Sequence, residues 1–278
     1  MLDCDRMHDC RQFWVEREMP EGRAALWRLG GLKIWLARTG TEWRFAGERG
    51  VPRDVSEVSY VPLDVVPEDL AWRSTVFAEA PRVFSLHPRV PDRPVLIPLP
   101  GRLALAPGGV AEFTAVIPVW IEVRAGRAEA AAVLGAAAAR EPREAWAGTL
   151  ESGRLLYAAP AAAVAAPEES AGRDAIAASF CLRNTGDAAV AVDQVCLDLR
   201  RASLYAGAHC LRVSSADVEL DGESGRATVA FTTDAPGREA PPRKLAGPAM
   251  SGPAEVWPLS ALRGNAAEFQ LPEGGRFQ

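Results

Sequence analysis

The chain is poor in the residues that most enzyme chemistry needs. Its 278 residues include three histidines, three tyrosines and five cysteines. Of its 31 basic residues only Lys33 and Lys244 are lysine, and the rest are arginine. Three histidines are a small stock for acid–base work. GxSxG, HExxH, P-loop and dinucleotide-binding glycine patterns are all missing, so the usual nucleophile, zinc and phosphate signatures are excluded. No run reaches about 18 apolar residues, and no transmembrane helix is expected. The N-terminus, MLDCDRMHDCRQFW, alternates acid and base without an apolar core, which argues against a secretory signal. A net charge of −5 offers no basic footprint for nucleic acid. These absences point to a cytoplasmic protein with reduced thiols.

The composition is that of a folded chain, 48% hydrophobic and 24% charged. Its length suits roughly two domains of about 150 residues. AALWRL, LKIWLA and EWRFA read as three strands joined at Gly30-Gly31 and Thr39-Gly40-Thr41. Glycine there accepts the positive φ that tight hairpins require. Trp27, Trp35 and Trp43 fall eight apart, one per strand, as in a meander. Residues 50–100 carry prolines throughout, which allow short or edge strands and extended connections but no long helix.

The clearest alternation is Val110–Val123. Phe113, Ala115, Ile117, Val119, Ile121 and Val123 share one parity and should face a core. Glu112 and Glu122 fall on the opposite, solvent side. Pro118 implies an edge, or a bulge that divides the run into two strands. Residues 128–139, AEAAAVLGAAAA, are the one stretch with helix-forming composition, although Gly135 limits it to a short helix or a loop. Beyond a linker-like segment at 159–174, SFCLR and AVAVDQVCLDL resume the strand pattern. The apolar phase changes at Asp193-Gln194, the mark of a β-bulge. ADVEL and ATVAF flank a hairpin turn at 221–225. The expected architecture is all-β with little helix, in two β-sandwich-like units. A unit at 11–158 combines a meander with a proline-rich sandwich, and a second occupies 175–235. An extended Pro/Gly-rich tail follows at 236–278, with Val256-Trp257 as a docking anchor.

One metal-like cluster is present, Cys4, His8 and Cys10. Its ligand types suit zinc, and His209 or Cys210 could complete the set. Its spacing matches no standard zinc knuckle and it lies at a terminus, so it is a weak candidate and no metal or other cofactor is assigned. Cys181 and Cys196 read as small core residues. Large aromatics on polar faces are more informative. Trp120 shares its face with Thr114 and Glu122, and Trp35 shares its face with Lys33. Rings so placed need a cover: the other unit, a partner chain or a ligand.

Several segments carry a family likeness. They are Pro118-Val119-Trp120, Trp146-x-Gly148 with Gly153 and Tyr157, Asn184, and Ser203-Leu204-Tyr205. Over about residues 25–235 the chain resembles an uncharacterised prokaryotic family, domain of unknown function 432. Ala147, Thr149 and Arg212 depart from the family's pattern. The resemblance implies an all-β chain of two linked units and carries no known activity. Family members near mechanosensitive-channel proteins imply a membrane-associated partner, compatible with peripheral association. The candidate binding or interface residues are therefore Trp35, Trp120, Trp146, Tyr157 and Tyr205, and no catalytic residue is assigned. The favoured function is a non-enzymatic cytoplasmic binding protein, with a protein partner or a homo-oligomer. A carbohydrate-binding module or hydrolase on a β-sandwich, and a small metalloprotein using the N-terminal cluster, are the alternatives.

Overall fold

A computed structural model describes residues 15–50, 58–127, 131–148, 153–165, 172, 174–207, 210–236 and 243–263. Its first strands are β1 (Glu16–Glu18), β2 (Arg23–Leu29), β3 (Leu32–Thr39), β4 (Glu42–Arg49), β5 (Val58–Leu63), β6 (Arg73–Val76) and β7 (Val83–Arg89). The middle third supplies β8 (Val95–Leu105), β9 (Val110–Pro118), β10 (Trp120–Ala125), β11 (Ala132–Ala138), β12 (Arg143–Ala147), β13 (Arg154–Ala158) and β14 (Ala175–Asn184). The remainder are β15 (Val190–Leu197), β16 (Leu204–Ala206), β17 (Leu211–Val213), β18 (Ala216–Asp221), β19 (Arg226–Phe231), β20 (Arg243–Ala246) and β21 (Glu255–Pro258). Helix among the described residues is confined to two 3₁₀ turns, Leu199–Arg201 and Leu259–Leu262. The fold is all-β.

Two pairs of sheets are stacked. In the first, the five-stranded sheet β5-β2-β3-β4-β6 covers the four-stranded sheet β1-β7-β10-β11. Trp27 and Trp43, one from each outer strand of the meander, close on Phe84 of β7 at centroid distances of 5.0 and 5.7 Å. The meander is as expected: Leu29 pairs Leu32 around Gly30-Gly31, and Thr39 pairs Glu42 around Gly40-Thr41. Gly30 and Gly40 adopt φ of 56° and 58°, which only glycine reaches without strain.

In the second stack, β12-β13-β8-β15 lies over the sheet β20-β16-β17-β14-β18-β19-β21, with β9 along the other edge of β14. Strands β8, β9, β12 and β13 lie within residues 95–158, and their ladders belong to this second stack. One continuous apolar cluster runs through both stacks, from Met19 to Leu262. The tail contributes β20 and β21. Trp257 is buried against β19, whereas Val256 points outward.

The alternating run divides at Pro118, and its two halves enter different sheets. Strand β9 pairs β14, whereas β10 pairs β7 and β11. Proline cannot donate to a ladder, so the chain turns the corner there. Val119 holds the corner with its amide on the Asp174 carbonyl, 3.1 Å, and its carbonyl accepting from Ala139, 2.8 Å. All six residues expected to be inward are buried. Glu112 and Glu122 thus lie in different sheets and do not share one strand's face.

Two further expectations are corrected. The described part of the alanine-rich stretch is not helical, because residues 132–138 form β11, paired with β10. Pairing and packing override alanine's helix propensity there. The proline-rich region does supply the edge strands β5 and β6, but β8 is not short. It spans eleven residues between β13 and β15, with Pro98 and Pro100 inside it. The prolines fit because β13 pairs only Val95 and Leu96. The bulge near Asp193 is present, since the β8–β15 register shifts between Val192 and Gln194.

Candidate functional site

The chain crosses between the stacks three times, from β7 to β8, from β9 to β10 and from β11 to β12. At that seam lies a cleft of about 280 Å³. The first crossing provides Pro88 and Val90, and the second provides Trp120. Ala202, Leu204 and Ala246 of the second stack form the facing wall. Crossings concentrate irregular backbone, which is why an opening forms here and not within a regular ladder.

Trp120 is half-buried. Its ring neighbour is Tyr157 of β13, at a centroid distance of 5.9 Å and tilted by 35°. Tyr157 is itself buried and donates its hydroxyl to Asp92 Oδ1 at 2.9 Å. Burial first, and then this bond to a carboxylate, push its phenol up to about 12. The Arg93 guanidinium covers the same ring at 5.2 Å and donates to Glu144 at 2.7 Å. Tyr157 is thus held as a neutral, rigid backing for Trp120.

The rim is charged but internally paired. Asp198, fully buried, takes Arg200 in a fork, Nε to Oδ1 and Nη2 to Oδ2, both 2.8 Å. That bond raises the Arg200 pKa. Glu122 accepts from Arg124 Nε at 2.6 Å and lies 3.4 Å from Arg89 Nε. On the same face, His87 Nε2 and Ser85 Oγ are hydrogen-bonded at 2.8 Å. Sequence reasoning missed this pair, although Ser-x-His on a strand places both side chains on one face. Burial chiefly, and then Arg124, hold His87 below the ordinary imidazole range.

The other candidate residues lie elsewhere. Trp35, on β3, is half-buried and its indole is 3.3 Å from Glu48 Oε2. Trp146 is half-buried on β12, on the face that β12 shares with Tyr157 of β13. Tyr205 is buried in β16, opposite Arg212 and Lys244. Trp120 and Tyr157 are thus brought into ring contact with each other. Cys4, His8, Cys10 and His209 lie outside the described residues. Among the described residues no three metal-ligating side chains converge. Cys196 is buried, as expected, and burial pushes its thiol pKa up. Cys181 is only half-buried, and burial followed by Glu112 raises its pKa too. Neither has the lowered pKa of a reactive thiolate. Asn184, fully buried, links three segments: its amide donates to the Leu105 and Ala188 carbonyls, and its Oδ1 accepts from Gly186.

The family model described as Protein of unknown function (DUF432) matches residues 13–254, and the chain belongs to that family. No curated protein and no solved structure matches the chain.

Proposed function

We propose that this family member is a non-enzymatic interaction protein, and that its seam cleft receives an apolar side chain from a protein partner. The observation that carries the reading is Trp120, backed by Tyr157 on one side and bordering an apolar cleft on the other. A volume of about 280 Å³ lies at the floor of the ~300–1,000 Å³ range of small-molecule sites. It suits one large side chain. The rim arginines already have carboxylate partners, Arg200 with Asp198 and Arg89 with Glu122. An apolar centre inside a charge-balanced polar rim is the anatomy of an interface anchor pocket.

We assign the protein to the cytoplasm. Cys181 and Cys196 are free thiols, which fits a reducing compartment. No helix among the described residues is long and apolar enough to cross a membrane, and a partner at a membrane surface is compatible with the reading. The test is site-specific photocrosslinking from position 136 at the cleft wall, compared between the wild-type chain and Trp120→Ala.

A further inference from the structure

We propose that His87 makes the mouth of the Trp120 cleft responsive to acid, acting through Glu122 and Arg89. The proposal deepens the cleft reading above, but it is measured on the protein alone, so either can fail without the other. The β7–β10 register sets His87 directly opposite Glu122, and Arg89 directly opposite Trp120. Ser85 lies opposite Arg124 in the same ladder. All six side chains share one face, because alternate strand residues point the same way. Facing Cβ atoms are ~4.5–5.5 Å apart.

The charged groups around His87 come from three strands. Strand β10 brings Glu122 and Arg124, β7 brings Arg89, and β1 brings Glu16, which pairs Ser85. Strand β11, on the far side of β10, contributes Ala138, Ala136 and Val133, none of which titrates. Glu122 is the carboxylate at the centre of this set, held by Arg124 at 2.6 Å and more loosely by Arg89 at 3.4 Å.

At neutral pH His87 carries no charge, because burial, Arg124 and Arg89 oppose its protonation more than Glu122 and Glu16 favour it. Protonation adds a third cation to a carboxylate that already serves two. The new imidazolium faces Glu122 directly and competes for it. The longer of the two arginine contacts, that of Arg89, is the one that yields. Arg89 lines the cleft beside Trp120. Its freed guanidinium has the indole face within reach, and a cation over that face is stabilised. Acid therefore narrows the cleft mouth.

The test is nuclear magnetic resonance of the full ¹⁵N-labelled chain between pH 7.5 and 5. In the wild type, the Trp120 indole N–H resonance should move with the same midpoint as the His87 ring, below the ordinary ~6.5. In His87→Gln it should stay flat over that range. In Glu122→Gln, where Arg89 has no carboxylate to hold it, the resonance should sit near its acid position already at pH 7.5. If His87→Gln fails to fold, Glu122→Gln decides alone. A wild-type Trp120 resonance that stays still while His87 titrates would overturn the coupling. So would an unaltered response in His87→Gln, or a Glu122→Gln resonance at the wild-type neutral position. None of these results touches crosslinking from position 136, which tests the partner.

Discussion

Gly135→Ala should destabilise the protein, against the general expectation that replacing a strand glycine helps. A Cβ at position 135 would lie 2.5, 2.6 and 2.9 Å from Cδ1, Cε1 and Cγ of Phe45. Carbon pairs rest at ~3.5–4.0 Å, so the overlap is about 1 Å. The ring has little room to retreat. Phe45 is 6% exposed, in a strand paired on both sides. Overpacking of this kind costs ~1–3 kcal/mol. In a chain of this size each kcal/mol lowers the melting temperature by ~2–4 °C, so the expected loss is roughly 2–12 °C. Thermal unfolding followed by circular dichroism gives the value. Phe45→Leu in the Gly135→Ala background should recover part of the loss, with a coupling of at least ~0.5 kcal/mol. A Gly135→Ala protein that melts at or above the wild-type temperature would refute the close approach of β11 to β4.

Two other perturbations follow from the same structure. Asn184→Ala removes a buried amide that satisfies two carbonyls and one N–H. Orphaning such groups should cost about 3 kcal/mol, measured by denaturant titration. Tyr157 should give stability an alkaline slope. Its phenol is pushed up to about 12 in the native state, against ~10 in the unfolded chain. The unfolded state therefore loses its proton first, and stability falls as pH rises from about 10 towards 12. Tyr157→Phe should flatten that slope, as read from melting temperatures across the range.

The parts of the fold that local pattern controls were legible in the sequence. The glycine turns at 30–31 and 40–41 and the bulge at 193 are set by residues within a few positions of each other, and the residues carry the signal. The alternation of 110–123 predicted burial correctly. It could not reveal that β9 and β10 enter different sheets, because a strand's alternation is the same whichever neighbour it pairs. Residues 132–138 misled because alanine's propensity is local whereas the ladder to β10 is not. Trp120 could be singled out as a ring on a wet face. Its cleft could not, since Pro88, Leu204 and Ala246 meet only through long-range crossings. Asp174 illustrates the same limit. It is buried, pairs Arg140 and touches the Gly30 turn, although nothing in the linker-like sequence around it suggests a structural role.

Docking of a partner at the Trp120 cleft is open to a direct test. A photoreactive phenylalanine at position 136, on the cleft wall and exposed, tests it in the cells that make the protein. Position 76 on β6, 72% exposed and not part of the cleft, is the control. A discrete crosslinked species that contains a second, different protein is expected from position 136. Trp120→Ala should weaken it at least tenfold, since truncating an interface aromatic costs ~2 kcal/mol or more. No such species should form from position 76. The same products from both positions, or a product from 136 indifferent to Trp120→Ala, would show that the partner does not dock at this cleft.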